Sequence, residues 1–167
     1  MKIGQSIVIA SQGTNKQLQK LIEDAVPMAV EQTKSIARQF KGASEEATAR
    51  NIFNFLLTKI NYKADGQHQQ VKLPSALMRT RVGDCKSYAL FTAAILTNLN
   101  IPYVLVYASY SNSKTPEHVY VMTQNGVIID AVWKKFNSEK PANHKIIKNE
   151  NQFNKRNRNK LSGAIGG

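Results

Sequence analysis

Between Tyr88 and Leu99 the chain is apolar on nearly every side, with polarity chiefly at Thr92, Thr97 and Asn98 and then Asn100, and such a helix can only lie at the centre of a fold. The rest of the chain must supply walls around it. With 167 residues, 42% of them hydrophobic, there is material for one such fold and not two. A single cysteine excludes an intramolecular disulfide framework and a multi-cysteine zinc site, so packing must hold the core. No apolar run approaches the roughly 18 residues that a membrane span needs, because Thr92 and Pro102 break the longest ones.

The walls begin with helices. Leu18, Leu21, Ile22, Ala25, Val26, Ala29, Ile36, Ala37 and Phe40 recur at steps of three and four, which predicts one amphipathic helix running to Gly42 with a kink at Pro27. Ser44 followed by Glu45 and Glu46 reads as an N-cap with acids on the positive end of a second helix. Its expected buried face is Ala47, Ile52, Phe53, Leu56, Leu57 and Ile60. Ahead of both, the short patch Ile7 to Ala10 reads as an edge strand; Gly4, Gln5 and Ser6 interrupt what a signal peptide would keep continuous.

From Asn61 to Arg81 the periodicity lapses, and Asp65-Gly66, the glutamines and Pro74 predict a loop with a helical turn at Ser75 to Met78. After the central helix, Pro102 acts as a stop and Tyr103 to Tyr110 reads as a buried strand. His118 to Thr123 and Val127 to Trp133 are two further strands joined across Gln124-Asn125-Gly126. The last part differs in composition: residues 134–167 hold nine of the 23 basic and two of the 11 acidic side chains, and seven asparagines fall between 137 and 160. We expect one domain over 1–136 and a basic, Asn- and Lys-rich tail over 137–167 that is only partly ordered.

Chemistry gathers at three positions. Cys85 follows Gly83-Asp84 at the entry to the central helix, His118 opens a strand 33 residues later, and Asp130 lies on the next strand 12 residues beyond that. A thiol is mostly protonated near neutral pH, and a helix N-terminus and an imidazolium are what lower its pKa. A carboxylate behind the ring would fix its tautomer and stabilise its charged form. The order therefore suggests a Cys-His-Asp triad.

Strand register tests this, because a slip of one residue turns a whole side-chain set to the other face. A two-residue Asn125-Gly126 turn would put Asp130 opposite Val121, on the side away from His118. A type I turn at Gln124-Asn125 with Gly126 in a left-handed bulge instead pairs Thr123 with Val127 and brings His118, Tyr120 and Asp130 to one face. The triad thus requires a three-residue loop.

The stretch Arg81-Val-Gly-Asp-Cys85 with its apolar helix, Asn100-Ile-Pro-Tyr103, Glu117-His118-Val-Tyr-Val and Val-Ile-Ile-Asp130 resembles the transglutaminase-like superfamily. The likeness spans 62–133, and with Tyr62, Asp65 and Pro74 it is similar to small members found in bacteria and their phages. It implies an α+β, papain-like fold: N-terminal helices and a central nucleophile helix packed on an antiparallel sheet that carries histidine and aspartate. It maps Cys85, His118 and Asp130 onto the family's triad. The activity implied is thiol acyl chemistry, as a cysteine protease or amidase, or as a glutamine-lysine crosslinking enzyme. Papain-like proteases place an oxyanion glutamine shortly before the cysteine, where this chain has Arg79 and Arg81, with Gln69 and Gln70 farther upstream. The Cys85 N–H can serve as one oxyanion donor; the second stays open. Calcium-binding acidic clusters of the large animal enzymes have no counterpart, so no metal or cofactor is expected.

Plainer readings stand beside these. A lone cysteine on an apolar helix is by itself more often a packing residue, and His68 and His144 read as solvated surface residues. A zinc site from Cys85, a histidine and Asp65 lacks paired ligand spacing. The run Lys155-Arg156-Asn157-Arg158-Asn159-Lys160 reads first as a solubilising tail and second as a contact for a polyanion or a virion component; Phe153 is its only aromatic neighbour. The small, flexible end at Gly166-Gly167 reads as a linker before it reads as a processing site. A rival to the enzyme is a peptide-binding or virion-assembly module that keeps the fold without turnover. The expected partner is a protein or peptide substrate with no membrane contact, in the bacterial cytoplasm, or in the host cytoplasm or virion for a phage-encoded member.

Overall fold

A computed structural model describes residues 6–9, 15–64, 69–112 and 116–149. The readings made for Asp65-Gly66, His68, Phe153, the run 155–160 and Gly166-Gly167 lie outside the described residues. In chain order the elements are β1 (Ser6–Ile9), α1 (Asn15–Thr33), a 3-10 turn (Ala37–Phe40), α2 (Glu45–Lys59), β2 (Asn61–Tyr62), β3 (Gln69–Lys72), α3 (Pro74–Thr80), β4 (Val82–Gly83), α4 (Cys85–Asn98), β5 (Tyr103–Ser109), β6 (His118–Thr123), β7 (Ile128–Ile129) and β8 (His144–Asn149). The fold is α+β: helices lie ahead of a four-stranded antiparallel sheet of order β7-β6-β5-β8.

The central helix lies where its composition demands. Every residue of α4 from Cys85 to Leu96 is buried, between α1 on one side and the sheet on the other. Asp84 starts it by accepting the Lys86 and Ser87 N–H groups, as an N-cap should. Its end is a Schellman motif: Asn100 is left-handed at φ 58, its N–H reaches the Thr97 carbonyl, and Ile101 N–H reaches Leu96. The stop therefore comes two residues before Pro102. Phe91 projects from α4 into an aromatic knot, stacked on Phe55 at 5.4 Å and edge-on to Phe40 at 5.7 Å.

Two expectations for the N-terminal helices change. The first helix continues through Pro27 but ends at Thr33, and only the short 3-10 turn carries the apolar spacing on to Phe40. Thr33 Oγ1 donates back to the Ala29 carbonyl, while the Asn98 side-chain amide of α4 donates to the Val30 carbonyl and to Thr33 Oγ1. Those bonds satisfy helix-end groups from outside, and the chain is released into turns. On α2 the Ser44 hydroxyl accepts the Ala47 N–H as predicted. The buried face, however, uses Thr48 and Ala49 in place of Ala47 and Leu57, and Leu57 is exposed.

The described parts of the stretch 61–81, residues 61–64 and 69–81, hold more regular structure than the loop expected there. β2 pairs in parallel with β4, β3 pairs antiparallel with β1, and α3 spans two turns. At the approach to α4 a Cβ on Gly83 would come within 2.4 Å of Leu77 Cδ1 and 3.3 Å of Ser87 Cβ, so the buried Leu77 side chain would have to shift. The sheet also draws on residues beyond 136: β8, from the stretch read as a tail, pairs with β5 from Val104↔Asn149 to Ser109↔His144. Among the described residues no helix is long and apolar enough to cross a membrane.

Candidate active site

The hairpin that positions the site has the bulged register. Thr123 N–H donates to the Val127 carbonyl and Gly126 N–H to the Thr123 carbonyl, both at 2.9 Å, and Gly126 is left-handed at φ 87. Val121 then lies opposite Ile129 and Met122 opposite Ile128. One more step puts Asp130 opposite Tyr120 and diagonal to His118, on a shared face. The strand is shorter than expected: β7 ends at Ile129, and the Asp130 carbonyl opens a turn by accepting the Trp133 N–H.

Across that diagonal His118 Nε2 meets Asp130 Oδ2 at 2.8 Å, with the carboxylate side chain 3% exposed. The Cys85 side chain also acts on the imidazole, by hydrogen bonding and by charge, in the direction that favours its protonated form. Since Nε2 is committed to the carboxylate, Nδ1 is the nitrogen left for sulfur. Ala108 is the residue paired with His118 on β5, and its single methyl leaves the ring room. The structure thus brings together Cys85 at the first position of α4, His118 at the first position of β6 and Asp130 just past β7.

Burial pulls the His118 ring toward its neutral form. Hydrogen bonding to Asp130 and then to Cys85, with the electrostatic interactions of both, outweighs it and raises the pKa to about 9. The imidazolium is therefore the favoured form around neutral pH. That form beside a helix N-terminus is the setting in which a thiol ionises most easily.

Two tyrosines flank the imidazole. Tyr120, two residues along β6, has its ring centroid 5.7 Å away, and Tyr110, just past β5, has its own at 5.9 Å. By register they lie on opposite sides of His118 along the strand. Each is tied to the stretch after 136: the Tyr120 hydroxyl donates to Glu139, Glu139 pairs with Lys145 at 2.7 Å, and the Lys140 ammonium sits 4.5 Å over the Tyr110 ring. Burial works against the Glu139 carboxylate, but Lys145 and Tyr120 hold its pKa below the usual carboxylate value. Burial, the Asp130 charge and then Cys85 push the Tyr110 phenol up, so it stays protonated. Tyr110 and Glu139 were missed from sequence. Continuing the β5–β6 pairing two residues past Ala108 would have found Tyr110; nothing local marks Glu139.

Arg79 and Arg81 stand where papain-like proteases carry a glutamine. Arg81 closes α3 in a left-handed conformation at φ 59, with its guanidinium 5.7 Å from the Phe55 ring centre. Gln69 and Gln70 pair through their backbones with Ile9 and Val8 on β1. The Asp84 carboxylate takes the Lys86 and Ser87 amides but not that of Cys85, the first candidate oxyanion donor. His144 is exposed at the start of β8. Among the described residues no group of three or more His, Cys, Asp or Glu could hold a metal ion.

Comparison with known proteins matches residues 31–131, more than half of the chain, to the transglutaminase-like domain. UPF0252 protein MJ1282 of Methanocaldococcus jannaschii is 33% identical over 97 residues, covering 52% of this chain and 28% of that protein. The chain thus spans under a third of that relative's length. Among solved structures, a proposed cysteine protease from Cytophaga hutchinsonii superposes with a TM-score of 0.45 at 16% identity, covering 75% of this chain and 48% of the other. The matched range 31–131 takes in the scaffold from the end of α1 through β7 together with Cys85, His118 and Asp130, and by that match the chain belongs to the transglutaminase-like domain family.

Proposed function

We propose that this protein is a thiol-dependent acyl-transfer enzyme, acting as a cysteine protease or amidase through Cys85, His118 and Asp130. The observation that carries the reading is the His118 ring, bonded at Nε2 to Asp130 at 2.8 Å and favoured in its protonated form by Cys85 as well as by Asp130. The Cys85 sulfur attacks a peptide or amide carbonyl, and a C–S bond forms as the carbonyl becomes an oxyanion. The Cys85 N–H, at the start of α4, donates to that oxygen. The C–N bond then breaks, and His118 hands the leaving amine the proton that came from the thiol. Water attacks the resulting thioester, gives a proton to His118, and releases the acid and the thiol. An amine in place of water would give a crosslinked product by the same route.

Mass-resolved alkylation of the intact protein with iodoacetamide at mildly acidic pH tests the first requirement. Cys85 is expected to react faster than a simple thiol, and His118→Ala is expected to abolish the advantage. A wild-type rate no higher than that of a simple thiol would overturn the mechanism. Quenched peptide hydrolysis run beside incorporation of a fluorescent primary amine separates hydrolysis from crosslinking, and Cys85→Ala should silence both without loss of folding.

A further inference from the structure

The sulfur of Cys85 has two charged neighbours in sequence, and both are buried. Asp84 is 4% and Lys86 6% exposed, values at which a charge ordinarily needs a partner. They are each other's. Asp84 Oδ1 caps α4, accepting the Lys86 N–H at 3.1 Å and the Ser87 N–H at 3.2 Å, while Oδ2 forms a buried ion pair with the Lys86 ammonium. The cap is good for the helix and bad for a thiolate. An uncompensated carboxylate one residue away offsets the positive helix end and disfavours a second negative charge.

We propose that Lys86 is a positioning residue for the Cys85 thiol: by pairing with Asp84 it cancels the capping carboxylate's charge, so the helix end and His118 act on the sulfur unopposed. The inference rests on Cys85 being the nucleophile. Among the described residues, the other ionisable groups gathered at the site are His118 at the start of β6 and Tyr110 after β5, both of which interact with Cys85, and Asp130 after β7, which is bonded to His118. They come from separate elements and are common to every variant below. A lysine that merely completes the packing would matter for stability and leave the ionisation of Cys85 where it was.

The experiment is the pH dependence of iodoacetamide alkylation, followed on the intact protein for wild type, Lys86→Met, and Lys86→Met combined with Asp84→Asn. Lys86→Met should raise the alkylation midpoint by about one pH unit, roughly a tenfold loss of rate below it. The double variant keeps an Asn cap, removes both charges, and should return close to wild type. A depressed wild-type midpoint that Lys86→Met leaves unmoved overturns the inference alone, as does a double variant as slow as the single. Should Lys86→Met fail to fold, Lys86→Gln takes its place, its amide still able to donate to Asp84 without the charge: a raised midpoint supports the cancellation, and one at the wild-type value overturns it. A wild-type midpoint at an ordinary thiol value overturns the nucleophile itself, and the inference with it.

Discussion

His118 Nε2 and Asp130 Oδ2 lie 2.8 Å apart although the two residues are not direct cross-strand partners; the bond runs along a diagonal that exists only because Gly126 adds one residue to the β6–β7 loop. The carboxylate orients the ring and keeps it charged, while the ring's second nitrogen remains for Cys85. Asp130→Asn preserves the shape and removes the charge. The His118 proton resonances should then titrate well below the wild-type midpoint of about 9, and alkylation of Cys85 near pH 6 should slow by roughly ten- to a hundredfold.

Stability should depend on pH through the same residue. The folded His118 pKa, about 9, is above the ordinary 6.5, so the native state holds its proton more tightly than the unfolded chain. That contribution is full below about 6.5 and is lost as pH rises through 9, and it amounts to at most about 3 kcal/mol. Denaturation midpoints measured from pH 6 to pH 10 should fall over this window, and His118→Gln should flatten that part of the curve.

Gly126 has φ 87, and a Cβ there would meet nothing within 4 Å. Substitution is therefore a matter of backbone strain alone. Gly126→Val should cost about 1 to 2 kcal/mol by chemical denaturation, and Gly126→Asn less, since Asn tolerates the left-handed region.

Glu45 ties the first turn of α2 to the hairpin, its carboxylate accepting from Thr123 Oγ1 at 2.9 Å and from Asn125 Nδ2 at 3.2 Å. It also sits at the positive end of that helix. Glu45→Ala should lower stability by about 1 to 2 kcal/mol. The accompanying gain in amide exchange should concentrate at residues 123–127, whereas a uniform gain would show that the two bonds do not pin the loop.

The sequence made the central helix legible because an all-round apolar run such as Ala89 to Leu96 has one solution, and it made the nearness of His118 to Asp130 legible because the bulged hairpin and strand alternation agreed on it. Other elements rest on partners distant along the chain. The end of α1 at Thr33 depends on Asn98 from another helix, while the apolar spacing runs on through the 3-10 turn as though no break existed. β2 and β4 are two residues each, too short to show any period. Glu139 acquires meaning only through Tyr120 and Lys145, both reached by folding. Its composition gave it the look of a solvated charge.

β8 covers the outer margin of β5 from Val104 to Ser109. A fragment trimmed at Trp133 or Phe136, where the charge-rich composition begins, would leave that row of amides and carbonyls bare and would also lose Glu139 and Lys140 from the tyrosines beside His118. Shortened versions made for expression or for grafting the site elsewhere should therefore extend through Asn149, because the face that carries His118 and the tract that shelters it fold as one piece.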